Sequence, residues 1–117
     1  MSEQVIPILR VKDAEAALLW YERIGFEREF EHRFEAGLPL YLGIRRGSAR
    51  MHLSEHAGDA RPNTLVYVWV DDVDAIADGF NTSVSTQTWG REIELTDPDG
   101  NRLRIGQTPP SDDQLSN

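Results

Sequence analysis

The chain has no cysteine. That absence removes disulfides, thiol nucleophiles and thiolate metal sites together. Long apolar runs are missing as well, and nothing approaches the roughly 18 consecutive apolar residues of a membrane span. Ser2–Glu3–Gln4, behind Met1, is polar and acidic with no apolar stretch following, so no secretory leader is expected. The expectation is a cytoplasmic protein with no membrane partner. Cations are scarce, 12 Lys and Arg against 20 Asp and Glu, for a net charge of −8. Such a surface repels a nucleic-acid backbone and attracts a cationic small molecule, so no nucleic-acid partner is expected. There is no Gly-x-Ser-x-Gly elbow and no phosphate-binding glycine loop.

What is present suits one globular domain: 117 residues, 39% of them hydrophobic, with three Trp. Val5–Ile6–Pro7–Ile8–Leu9–Arg10–Val11 is an apolar, β-branched run and reads as a strand. Pro7 lacks a ladder donor, which places that strand at a sheet edge or at a break in pairing. Asp13 is a helix N-cap, Ala14, Ala17, Leu18 and Tyr21 form an i, i+3, i+4, i+7 stripe, and Gly25 is a natural stop. Strands follow over Phe26–Phe34, Leu40–Arg45 and Ala49–Ser54, separated by turns at Ala36–Pro39 and Arg46–Ser48. Glu55–Asn63 is polar and reads as a linker.

The pattern then restarts. Leu65–Val70 reads as a strand, and Asp72 caps a helix whose apolar residues are Val73, Ile76, Ala77 and Phe80. Weak strand material around Ser83–Thr88 leads to a closing hairpin, turned by Asp97–Pro98–Asp99–Gly100–Asn101. In that hairpin Ile93 and Leu95 alternate with Glu92 and Glu94, and Leu103 and Ile105 with Arg102 and Arg104. Val11–Lys12–Asp13–Ala14–Glu15–Ala16 is matched by Val70–Asp71–Asp72–Val73–Asp74–Ala75, and Gly25–Phe26 by Gly79–Phe80. Two copies of one βαβββ unit follow, an α+β fold of two tandem modules over about 4–56 and 63–107 within a single domain, 1–107. The second copy is clipped between Asp74 and Trp89. Residues 108–117, with Pro109–Pro110 and an acidic end, have nothing to bury and read as a flexible tail.

Paired βαβββ modules, the Leu9–Arg10–Val11–Lys12–Asp13 opening and the Asp97–Asn101 turn resemble the vicinal-oxygen-chelate superfamily of glyoxalases, extradiol dioxygenases and bleomycin resistance proteins. Within it the sequence is most similar to the bleomycin-binding resistance proteins. Val5–Leu9, Asn63–Val70 and Trp89–Gly90–Arg91–Glu92 carry that likeness, over roughly residues 4 to 107. The resemblance implies a curved mixed sheet. It further implies a homodimer with an exchanged N-terminal strand hinged at Pro7, holding ligand in clefts at the dimer interface. The function implied is drug resistance by sequestration of a cationic, aromatic, bleomycin-like molecule.

The metalloenzymes of the superfamily hold a divalent cation at four strand positions. By the resemblance these fall on Ile6, near the end of the fourth strand beside His52, Glu55 and His56, near Leu65, and on Arg104. Three of the four cannot ligate. No metal, no other cofactor and no catalytic residue is therefore expected, and His32, His52 and His56 read as surface histidines. A glyoxalase- or dioxygenase-like metalloenzyme remains the alternative, as does a relative that binds another small molecule. Glu92 and Glu94 read as cross-strand partners of Arg102 and Arg104 rather than as an acid/base pair.

Tyr67 and Trp69 alternate with Val66, Val68 and Val70, so they share one strand face. Together with Trp89, Phe30 and Phe34 they serve a core as well as a cleft by pattern alone. The resemblance assigns these five rings to the ligand, with Ser54 as a nearby hydroxyl and Gly100 as a close backbone position; Arg104 departs from the family and projects a positive charge toward where the ligand would lie.

Overall fold

The computed structural model describes residues 3–108. The flexible tail expected over 108–117 lies, from Pro109 on, outside the described residues. The chain forms two compact units, one holding the residues up to Thr64 with Thr96–Arg102, the other Leu65–Leu95 with the residues from Leu103. Each contains one βαβββ copy, so the α+β architecture is the one the repeat implies.

In the first unit β1 (Ile8–Arg10) leads to α1 (Ala14–Glu22), then β2 (Glu27–His32), β3 (Tyr41–Arg46) and β4 (Ala49–Ser54). The sheet order is β1-β4-β3-β2. β1 runs parallel to β4, with Ile8 opposite His52, while β2 and β4 are antiparallel to β3. Pro7 sits just before this edge strand, where a missing N–H costs nothing, and its carbonyl accepts from the His52 amide at 2.9 Å. β1 is thus seated on β4 of its own chain.

Alternation decides the faces. Leu9, Leu42, Ile44, Met51 and Leu53 are buried on one side, against the Ala14, Ala17, Leu18 and Tyr21 stripe of α1. Each large side chain so buried contributes about 1.5–3 kcal/mol. Asp13 caps α1 by accepting from the Ala16 amide at 3.1 Å. Glu55 also serves this helix: one of its oxygens takes the Ala14 amide at 2.7 Å and the other the Leu40 amide at 2.9 Å.

Asp97 and Asn101, the two ends of the turn, form a buried polar node of the first unit. Asp97 Oδ1 accepts from the Asp99 and Asn101 amides, and Oδ2 accepts from the Tyr21 hydroxyl at 2.7 Å and from Asn101 Nδ2 at 3.1 Å. Asn101 in turn donates to the Arg10 carbonyl and accepts from the Thr64 amide, both at 3.0 Å. Burial first, then the Asp97 charge, drives the Tyr21 phenol far above its ordinary range, so it remains a donor.

The second unit has β5 (Leu65–Trp69), α2 (Val73–Gly79), β6 (Ser85–Gln87), β7 (Gly90–Thr96) and β8 (Arg102–Gln107), in sheet order β5-β8-β7-β6. Its core is Val68, Val73, Ile76, Ala77, Ile93, Leu95, Leu103 and Ile105. The clipping before Trp89 falls on both elements, a helix of 7 residues against 9 and a β6 of 3 against the 6 of β2. It also corrects the Gly–Phe match. In α1 the left-handed stop is Gly25 (φ 103°), and Phe26 N–H closes on the Tyr21 carbonyl. In α2 that stop is Asn81 (φ 52°), with Thr82 N–H on the Ala77 carbonyl. Gly79 is still helical and Phe80 is the C-cap.

Candidate ligand-binding site

In the second unit the aromatic residues lie outside the core. Tyr67 is 39% exposed, Trp69 53% and Trp89 51%. The alternation of β5 explains this, because Val68 points into the core and its neighbours point away. The Tyr67 and Trp69 rings pack at 4.9 Å between centroids, tilted by 53°. They lie over Gly106 of β8, where a Cβ would overlap the Tyr67 hydroxyl oxygen and press on Trp69. Glycine within a strand marks such a close approach. Trp89 Nε1 donates to Glu92 Oε2 at 3.1 Å. The Tyr67 phenol is raised above its usual range, by burial first and then by hydrogen bonding to Glu92. Arg104 pairs with Glu94 at 3.0 Å, so its charge is answered within the unit. The result is an open aromatic platform with carboxylates at its rim.

The first unit holds the other expected residues. Phe30 is 39% exposed and lies across Gly43 of β3, where a Cβ would run into its ring. Phe34 falls beyond the end of β2 and meets His32 edge-on at 6.0 Å. Ser54 is fully buried, its hydroxyl donating to Asp59 Oδ2 at 2.6 Å while accepting from the His56 amide at 3.1 Å. Gly100 adopts φ 91° in the turn, where a side chain would strike Asn63 Oδ1. These two positions shape loops. A cavity of about 220 Å³ lies elsewhere in this unit, lined by Arg10, Val11, Lys12, Pro62 and Asp99.

The metal of the enzyme relatives does not fit this donor set. Among the described residues no three His, Asp or Glu side chains gather into a cation site. Both Glu55 oxygens are taken by backbone amides, and His52 Nδ1 is paired with the Tyr41 hydroxyl at 2.7 Å. His52 is therefore not the plain surface histidine expected. It is half-buried, with burial holding its imidazole below the usual range against a smaller opposing effect of Glu29.

Sequence reasoning missed Tyr41 and His52, and it paired Glu92 with an arginine although Glu92 holds Trp89. The signal available was glycine: Gly43 and Gly106 each interrupt an apolar strand, which announces a ring or a chain lying close above.

The chain is similar to many solved structures, of which three serve as examples. The bleomycin-binding protein from bleomycin-producing Streptomyces verticillus, complexed with copper(II)-bleomycin, is 27% identical, over 93% of this chain and 100% of that one, with a TM-score of 0.67. A bleomycin resistance determinant encoded on the transposon Tn5 is 24% identical over 92% and 98%, with a TM-score of 0.71. A glyoxylase/bleomycin resistance protein/dioxygenase domain from Frankia sp. EAN1pec is 16% identical over 100% and 99%, with a TM-score of 0.77. No curated protein matches the sequence. The family profile described as glyoxalase superfamily protein spans residues 1–111, and it agrees with the two βαβββ units and the Asp97–Asn101 turn: the chain belongs to the glyoxalase superfamily.

Proposed function

We propose that this protein binds bleomycin-type glycopeptide drugs stoichiometrically and confers resistance by sequestering them, without catalysis. The observation that carries this reading is the exposed Tyr67–Trp69–Trp89 platform with Glu92 and Glu94 at its rim. Drugs of this type join flat bithiazole rings to a cationic tail. Aromatic faces stack such rings, at about 0.5–1.5 kcal/mol per pair beyond area burial. A surface of net charge −8 speeds the encounter with the tail. Likeness to a bleomycin-binding protein in complex with its drug supports the same choice.

The proposed assembly is a homodimer in the cytoplasm that holds drug at the subunit interface, and in it the N-terminal strand, which in the single chain pairs with β4, swings about Pro7 to make the same pairing on the partner. Phe30 and Phe34 are further ring contacts in this proposal, Ser54 at the end of β4 is a nearby hydroxyl, Gly100 is a close backbone position, and Arg104 directs a positive charge toward the ligand.

The test is a titration with metal-free bleomycin, followed by Trp fluorescence and calorimetric heat. Quenching that saturates near one ligand per chain, unaffected by chelator, is expected. Trp69→Ala should weaken binding about tenfold or more, consistent with the loss of one well-packed stacking partner. A flat titration of the folded protein sinks the reading.

A further inference from the structure

Ser54, the last residue of β4, is expected to offer its hydroxyl to the ligand, yet its side chain is fully buried. A hydroxyl so covered reaches a ligand only if the segment above it moves. That segment starts from a fixed point. The Glu55 amide donates to the Leu40 carbonyl at 3.0 Å, and the Glu55 carboxylate takes the Ala14 and Leu40 amides. It ends at another. The Thr64 amide donates to Asn101 Oδ1 at 3.0 Å, and the Thr64 carbonyl accepts from the Arg102 amide at 2.8 Å.

Between these ends, among the described residues, the hydrogen bonds that tie residues 56–60 to the rest of the unit meet on one atom. The His56 amide donates to Ser54 Oγ at 3.1 Å, and Ser54 Oγ donates to Asp59 Oδ2 at 2.6 Å. Both directions follow from the groups, since an amide N–H only donates and a carboxylate only accepts. The remaining bonds stay local, from the Asp59 amide to the His56 carbonyl and from Thr64 Oγ1 to the Arg61 carbonyl, both at 3.2 Å. Ala57, Gly58 and Asp59 are exposed, and a Cβ on Gly58 would meet nothing within 4 Å. The tip of the segment is therefore in open space, and one hydroxyl holds it down.

We propose that residues 56–62 are a strap, latched by Asp59 over the Ser54 hydroxyl, which opens locally to let ligand reach that hydroxyl. A segment fixed at both ends and held in between at one atom opens at far lower cost than the strands beside it. In the closed state the Asp59 carboxylate occupies the place of a ligand acceptor, because the single hydroxyl proton is committed to it. The group that replaces it is itself an acceptor, such as an amide carbonyl oxygen. A donor-only group such as an ammonium would leave the Ser54 proton unpaired. The strap's role rests on the reading above that Ser54 serves the ligand, and it adds regulation of that site by the chain's own side chain.

Native-state hydrogen exchange of the full chain, followed by NMR without ligand, tests the strap directly. The His56 amide should exchange through a local opening that dilute urea does not accelerate. Its protection factor should lie at least about tenfold below that of the neighbouring Glu55 amide. Asp59→Ala should lower His56 protection by about tenfold more, the loss of a charge-assisted hydrogen bond, and leave Glu55 unchanged. Equal protection of the two amides in the unaltered protein overturns the proposal without recourse to any variant. A His56 amide indifferent to Asp59→Ala also overturns it. With metal-free bleomycin, Asp59→Ala should bind about 3- to 10-fold more tightly than the unaltered chain, because the closed state no longer competes, and adding Ser54→Ala should remove the gain. Drug binding without that gain overturns the proposal. A chain that binds no drug at all sinks the resistance reading, while the exchange result still decides the strap, so the two fail separately.

Discussion

In the first unit Tyr21 and Phe26 lie buried, ring edge to ring face at 6.0 Å, with the Tyr21 hydroxyl tied to the Asp97 node. In the second, which has the same βαβββ order, no aromatic residue among those described is buried, and Tyr67, Trp69 and Trp89 lie exposed on or beside the sheet. The helix of the second unit is shorter and its edge strand is half as long. Its core is made of aliphatic residues alone. The first copy thus buries two of its rings beside a polar node while Phe30 and Phe34 stay exposed, and the second buries none of its described rings. A duplicated unit can divide its rings between core and surface in different ways because the βαβββ pattern constrains only the inward positions.

The sharpest way to test that division is to remove the node. Asp97→Ala leaves two backbone amides, the Tyr21 hydroxyl and Asn101 Nδ2 without their acceptor in a buried place. Urea unfolding should report a loss of about 3 kcal/mol or more, since each buried donor left unpaired costs about 1–3 kcal/mol. A loss within experimental scatter would mean that the node does not carry stability.

A smaller effect on stability, with a large one on recognition, is expected for Gly106→Val. The added side chain displaces Tyr67 and Trp69 from above β8. Overpacking of this kind costs about 1–3 kcal/mol. Drug affinity by fluorescence titration should fall at least as far as for Trp69→Ala. Unchanged affinity would show that the ring arrangement over Gly106 is irrelevant to binding.

The smallest effect is a pH dependence in the first unit. Burial lowers the His52 pKa from its ordinary value near 6.5, so below that value the unfolded chain takes up the proton before the folded one does. Stability from the neutral ring is complete above the ordinary value and declines as pH falls through the window down to the lowered one. His52→Phe should flatten that part of the curve of stability against pH, measured by denaturation at several pH values. Identical slopes with and without His52 would place its titration in the unfolded range.

Much of this molecule was legible from local chemistry. The spacing of Ala14, Ala17, Leu18 and Tyr21 after Asp13, and of Val73, Ile76 and Ala77 after Asp72, specifies two capped helices, because caps and stripes act within a few residues. That Tyr67 and Trp69 share one face of β5 was readable from strict alternation, and only the structure showed that face to be exposed. Other features depended on partners distant in the chain. Asp97 looks like an ordinary turn residue until Tyr21, 76 positions earlier, donates to it. His52 looks like a surface histidine until Tyr41 and Phe30 close around it across two strand pairings. Glu92 looks like the partner of an arginine across the hairpin until Trp89 takes its oxygen.

By itself, then, the sequence determined the repeat, the two helices, the order of elements along each copy, the residues that share a face and the acidic character that favours a cationic guest. Periodicity, capping and net charge are properties of neighbours along the chain or of its simple sum, so they survive without a structure. The tertiary structure alone decided that Asp97 is buried and fully satisfied, that Gly43 and Gly106 are places where rings lie, and which atoms of His52 and Glu92 are engaged. Those outcomes rest on register and packing between strands far apart in sequence, where a shift of one residue turns every side chain to the other face.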